Sequence, residues 1–461
     1  MPTLIVLIAL AAAGLLGYLA TAGSQILLLS LCLGMLVSVF AFFSPKASLV
    51  LLIFSMLLSP KIGFGAVGGG REAVIRYDDV LLLVIFFSWF ARAAISKNKP
   101  FITSTPVQAP VLIYTSVYVL STSLGILRGD INPKVAVFYL LKFVEYFLLY
   151  FMTVNIVDTK EEIKRYARYG LAVALIVTVY AMQYYLTAGP DARATAPFEA
   201  TLGSSIASSE PASLGGYYLV VFGVLLAFMT EYSGRALLFA ACAFAVMFPA
   251  FLLTFSRASY IGFVFMTLAV LLLARRRKMM LLLFVSAGLL GAALMPGLSG
   301  KVLDRITMTY RGDYANSTVS LGSAGQVKME ESAADRVRSL KHVTMEKLPV
   351  HMILGWGVTG IGLGDTQYAL LLGEVGLAGF FVFFWMIYRI FFTARTVYRA
   401  CAEPWAKAMG LGLMACVAGL LSQAIGVNTF IIIRIMEPFW FLTALVMVLA
   451  RDTVPGGAPP R

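Results

Sequence analysis

Residues 257–297 read RASYIGFVFMTLAVLLLARRRKMMLLLFVSAGLLGAALMPG. Two apolar runs, 257–275 and 279–297, meet at the cluster Arg275, Arg276, Arg277 and Lys278. Each run has about the 20 residues that a helix needs to cross roughly 30 Å of hydrocarbon. Lipid offers no partner to a backbone amide, so a segment that crosses must pair its own N–H and C=O groups, and the runs read as helices. Four consecutive cations resist crossing and mark the cytoplasmic side, so the segment is a helical hairpin whose turn faces the cytoplasm.

The same pattern extends in both directions. Spans are expected near residues 4–20, 25–43, 47–60, 79–95, 110–127, 136–157, 167–187, 213–231, 234–254, 257–275, 279–297, 366–392, 406–427 and 435–450, about 14 helices in all. Of the 461 residues 60% are hydrophobic and 13% charged, with a mean hydropathy of +0.87, which excludes a soluble globular domain. The chain therefore reads as all-α: one integral membrane domain over 1–461, a polytopic transmembrane bundle with membrane lipids as its surroundings. The apolar stretch from Met1 lacks a basic leader and a small-residue cleavage site, and is expected to be a retained helix. Further basic loops at Lys97 and Lys99, at Lys160 to Arg168, and at Arg395, Arg399 and Lys407 fall on the same side as Arg275 in this count. Both termini are then cytoplasmic.

Several chemistries are excluded or discounted. Cys32, Cys242, Cys401 and Cys416 are scattered, and only His342 and His351 are present, so neither a disulfide framework nor a histidine metal site is expected. Gly355-Trp356-Gly357-Val358-Thr359-Gly360 spells GxGxxG, but no strand precedes it and no helix follows at once. With Gly362 and Gly364 beyond, it is expected to be a tight or re-entrant turn. No Walker lysine occurs, no cofactor is expected, and nucleic acid is not among the expected partners.

The formal charge is +13, from 36 basic and 23 acidic residues. Many cations nevertheless fall on the outer side, among them Arg76, Arg128, Arg193, Arg257, Arg336, Arg338 and Arg434. The planar guanidinium fork donates paired hydrogen bonds and suits phosphate, which points to an anionic visitor; loop solvation and lipid head groups are the plainer account. Arg257 sits between two apolar helices with no acid nearby in sequence, where phosphate binding and snorkelling both fit. Lys142 and Glu145 share a helix face inside a span, as an ion pair or as a substrate or proton site.

The longest polar segment is the outer loop 298–365. Within it Ser332-Ala333-Ala334-Asp335 has capping spacing and is expected to start a helix running to Lys347, before Pro349. That helix would place Arg338 and His342 on one face and Arg336 on another, whether it is a binding element or a solvated one.

Four stretches carry a family resemblance: Arg193-Ala194-Thr195-Ala196-Pro197-Phe198 with Glu210-Pro211 and Leu214 to Tyr217; Thr254-Phe255-Ser256-Arg257; Asp335-Arg336 leading to Gly355-Trp356-Gly357; and Tyr368 followed by Gly373 to Gly379. In order and expected topology the chain resembles the O-antigen ligase and polysaccharide polymerase superfamily of bacterial inner-membrane proteins. The resemblance implies a metal-independent glycosyltransferase of the membrane-embedded C type acting on glycans linked to undecaprenyl diphosphate, alongside other polysaccharide assembly proteins. By matching position, Arg193, Arg257 and Arg336 would hold the diphosphate, Arg336 as a catalytic group, with Arg338 and Tyr368 as further substrate contacts. Ligases of this kind carry a His-Asn pair before the helix that follows the long loop, whereas this chain has Asp365-Thr366-Gln367-Tyr368. Asp365 is then the candidate base, although Asp365 and Tyr368 also suit a helix cap beside an interfacial aromatic. The departure favours a polymerase of repeat units over a ligase, with a secondary transporter as the alternative from another class.

Overall fold

The structure is a computed structural model that describes residues 25–59, 61–66, 72–95, 102–189, 192–199, 210–294, 298–307, 317–320, 326–362 and 366–453. The expected span at 4–20 lies outside the described residues, as does Asp365. The described chain is overwhelmingly helical. In order it forms α1 (Gln25–Phe43), α2 (Pro45–Leu58), a hairpin of β1 (Lys61–Ala66) and β2 (Glu72–Arg76), α3 (Tyr77–Ile95), α4 (Gln108–Arg128), α5 (Pro133–Ile156) and α6 (Lys160–Thr187). Then come α7 (Pro211–Glu231), α8 (Gly234–Leu252), α9 (Arg257–Leu273), α10 (Lys278–Leu294), α11 (Leu298–Thr307) and a hairpin of β3 (Ser317–Ser320) and β4 (Gln326–Met329). The chain closes with α12 (Glu331–His342), α13 (Gln367–Ala400), α14 (Pro404–Gln423) and α15 (Ile433–Thr453). Both hairpins are antiparallel.

Each expected segment from 25–43 onward overlaps a helix. Eight of these are long and apolar enough to cross a membrane: α4, α5, α6, α7, α8, α13, α14 and α15. Shorter apolar stretches lie in α1, α2, α9 and α10. Helix starts follow local chemistry. Thr159 and Glu162 close a capping box on α6, the Asn132 side chain accepts the N–H groups of Lys134 and Val135 at the start of α5, and proline opens α5, α7 and α14.

Small residues let three helices approach closely at the centre. A Cβ on Gly223 of α7 would collide with Cys416 and the Gly412 carbonyl of α14. One on Gly262 of α9 would collide with Leu219 of α7 and the Gly419 carbonyl of α14. Between helices in lipid, where hydrophobic burial supplies little drive, such close backbone packing is a main source of association. Around this seam α15 packs on α5, α13 and α7.

Cross-contacts sort the loops into two ends. At one end Arg275 N–H donates to the Tyr398 hydroxyl, Lys160 pairs with Glu403 and Lys46 with Glu162. At the other Ala194 N–H donates to the Leu253 carbonyl, Arg336 reaches Gly426 and Arg434 reaches Asp78. These are called the Arg275 end and the Arg257 end below.

One expectation changes in detail. The helix expected from Ser332 begins at Glu331 with Glu330 at its cap, and no side chain caps it. Glu330 turns instead to Arg257, so the side chain nearest the exposed amides is used in an ion pair. The helical path does continue to Lys347, through a wider π turn over Val343–Lys347.

Candidate functional site

At the Arg257 end a tight turn joins α8 to α9. Pro249 lies inside the last turns of α8, and its carbonyl accepts the N–H of Leu253. Phe255 adopts a φ of 49°, a left-handed conformation that a bulky residue rarely takes, and Ser256 then caps α9 by accepting the Ser259 N–H. Arg257 follows as the first helical residue and pairs with Glu330 at the start of α12. The sequence offered Arg257 no acid nearby; the fold supplies one from 73 positions away.

The extended stretch around Arg193 lies beside this turn, since Ala194 N–H donates to the Leu253 carbonyl at 2.8 Å. On the other flank Arg336 Nε donates to the Gly426 carbonyl at 2.9 Å. A Cβ placed on Gly426 would lie 3.1 Å from the Ala258 Cβ and 3.8 Å from Arg336 Nε. The three arginines thus sit on adjoining elements around one turn. Beneath them is a buried polar floor: Gln423 donates to the Ser259 hydroxyl and the Ala212 carbonyl, both at 3.0 Å.

The other expected site residues stand apart. Arg338 is half exposed and pairs with Asp335 at 2.9 Å on its own helix, while His342 meets Glu346 at 2.8 Å. Tyr368 donates its hydroxyl to the Leu421 carbonyl at 2.6 Å and stacks on Phe384. Its polar atom therefore serves the α13–α14 contact.

Beside the arginines lies a second constellation, of which only Lys142 and Glu145 stood out in sequence. Arg434, 1% exposed, reaches Asp78 Oδ2 at 2.6 Å and Glu437 Oε2 at 2.9 Å, with Asp79 Oδ1 at 4.0 Å and the Met56 carbonyl as a further acceptor. Lys142 bridges Asp79 and Glu145. Buried Arg76, at the end of β2, lies within electrostatic reach of Arg434, Glu199, Asp78 and Asp79. Desolvation, then Arg434, lowers its pKa, yet a guanidinium keeps its proton at neutral pH. Asp78, Asp79 and Glu145 bring carboxylate oxygens within 4.8 Å of one another, a spacing a metal ion could use. The Lys142 ammonium lies on two of the three and supplies the positive charge there. Arg434 and Arg76, expected among the outward-facing cations, are internal members of an ion network.

The glycine-rich segment after α12 folds back into the bundle, as its glycines suggested. Gly355, Gly357 and Gly362 have φ of 69°, 86° and 75°, and Val358 is fully buried. This segment pairs its backbone with a break in α13, where Gly376 has φ 60° and ψ −163°. Trp356 and Gly357 donate to the Gly373 and Glu374 carbonyls at 2.9 Å, and Leu377 and Ala378 return to Met352 and Ile353. The amides and carbonyls freed by the break are thereby satisfied, as interior backbone in a membrane requires. Next to it His351 packs on Trp356 with its Nε2 4.0 Å from Asp130.

Chemically, the Arg257 end offers guanidinium groups to an anion beside an uncharged polar floor, with a buried ion network at the heads of α3 and α15. No protein-family model matches this chain, and no curated protein sequence matches it.

Proposed function

We propose that the chain polymerises oligosaccharide repeat units linked to undecaprenyl diphosphate into an exopolysaccharide or O-antigen. It would do so at the outer face of the bacterial cytoplasmic membrane, with about 14 spans and both termini cytoplasmic. The observation that carries the reading is the gathering of Arg193, Arg257 and Arg336 around the Leu253–Ala258 turn. In this reaction an acceptor hydroxyl attacks the anomeric carbon, the bond to the diphosphate oxygen breaks, and the proton passes to a base, for which Asp365 is the candidate. Arginine can stabilise the charge growing on the departing diphosphate without a metal, and Arg257 would exchange Glu330 for it. Arg338 and Tyr368 remain candidates for glycan contact at the periphery. Transfer to a different acceptor, as in a ligase, uses the same chemistry.

Purified protein given a lipid-linked oligosaccharide should lengthen the glycan without ATP or added metal. Arg257→Ala and Arg336→Ala should each lower the rate by about 100-fold or more, the scale for losing one charge-stabilising donor. Full activity in both would refute the assignment. Accumulation of single repeat units in a deletion strain distinguishes polymerase from ligase.

A secondary transporter is the second reading, favoured by the buried ion network and the broken α13, both devices of carriers. Substrate uptake into proteoliposomes with no glycan product would select it.

A further inference from the structure

The Arg275 end holds a cavity of about 440 Å³ between the α9–α10 turn, the last turns of α13 and α14. Arg275 and Lys278 line it from the turn, and Arg395 and Arg399 from α13. Among the described residues none of these four has a carboxylate within ion-pair distance. Like charges repel, so four cations on one cavity raise its free energy unless an anion enters.

Topology alone does not require this convergence. The positive-inside bias asks only that cations remain on one side, and neighbouring Arg277 goes elsewhere, donating to the Tyr232 carbonyl. The cavity is instead held in shape. Buried Tyr398 accepts the Arg275 N–H at 2.9 Å and donates to Glu231 at 3.1 Å, tying the turn to α13 and α7. Lys278 reaches back to the Leu272 carbonyl at 3.3 Å, and Arg395 lies over the Phe392 ring at 5.7 Å.

The wall is also partly apolar. Leu272, which lines the cavity, is 68% exposed, and Met279, next in sequence to the lining residue Lys278, is 70% exposed. A small soluble anion has no use for such a surface, whereas an acyl chain does. We propose that this cavity binds the phosphate headgroup of an anionic phospholipid, with the acyl chain along Leu272 and Met279.

The test is native mass spectrometry of the full chain in detergent, titrated separately with phosphatidylglycerol, phosphatidylcholine and inorganic phosphate. Phosphatidylglycerol should bind in preference to both others. The variant Arg275→Gln with Arg399→Gln should bind it about 30-fold more weakly, from roughly 1 kcal/mol per basic residue near an anionic surface. Arg275→Lys with Arg399→Lys should retain binding. So should Arg165→Gln with Arg168→Gln, which removes two cations of the same end outside the cavity. Equal binding of phosphatidylcholine or inorganic phosphate by the wild-type chain would overturn the lipid assignment without reference to any variant. Unchanged binding by the glutamine variant, or equal loss in the Arg165 and Arg168 control, would overturn the site.

Discussion

Replacing Arg434 by methionine should be among the most damaging single changes in the protein. The side chain is 1% exposed and lies 2.6 Å from Asp78 and 2.9 Å from Glu437, which are themselves fully buried. At an effective dielectric constant near 20, each contact carries a gross attraction on the order of 6 kcal/mol, offset by a desolvation cost of several kcal/mol per ion. The net value of the intact network is therefore small. Removing only the cation is another matter, because Asp78 Oδ1 and Glu437 Oε1 accept no hydrogen bond among the described residues. Two carboxylates would then be left buried without their main counter-charge, at a cost of about 3 to 5 kcal/mol. The assay is the fraction of monodisperse protein that survives a temperature series in detergent, compared with Arg434→Met combined with Asp78→Asn and Glu437→Gln. The single variant should fall well below wild type, and the triple should regain at least half of the loss. A single variant as stable as wild type, or a triple no better than the single, would refute the account of Arg434 as counter-charge to a buried acid pair.

Two further outcomes follow from the geometry. Gly376→Ala should destabilise the α13 break by about 1 to 3 kcal/mol from left-handed strain alone, and by more because its Cβ would collide with the Ile353 carbonyl; faster proteolysis within 343–362 is the readout, and an unaltered rate counts against the pairing. At the Arg275 end, the Lys160 hydrogen bond and then that of Trp405 hold the Glu403 carboxyl below its ordinary value of 4.5. A depressed folded value means that this contribution is fully present above the unfolded value and fades as pH falls through the folded one. Lys160→Met should therefore lower thermal stability slightly at pH 7, less at high salt because the pair is more than a third exposed, and not at all well below pH 4. A loss that persists unchanged in acid would disprove it.

What could be read from the chain follows the range of each interaction. Hydropathy is a local property, so the runs at 110–127, 213–231 and 406–427 announce their helices whatever surrounds them. The turn-forming glycines at 355, 357 and 362 were legible for the same reason, as backbone demands of their own segment. Arg257 and Arg336 could be singled out as charges in unusual places. Their neighbours could not, because Glu330 and Gly426 are brought to them by folding.

The ion network shows the limit most clearly. Lys142 and Glu145 are three residues apart and could be paired by helical spacing, and that contact is present at 3.4 Å. Asp78 and Asp79 did not stand out in the sequence, and Arg434 looked like one more outward cation. Only the packing of α3 and α5 against the head of α15 turns them into one buried cluster. The break at Gly376 is similar, since its cost is met by amides from Trp356 and Gly357, about twenty residues earlier in the chain. The sequence by itself determined a many-helix membrane protein, because span length and charge exclusion act residue by residue. Which charges face an anion and which neutralise one another was decided by tertiary structure, because an ion pair depends on distance in space and on the water that packing removes.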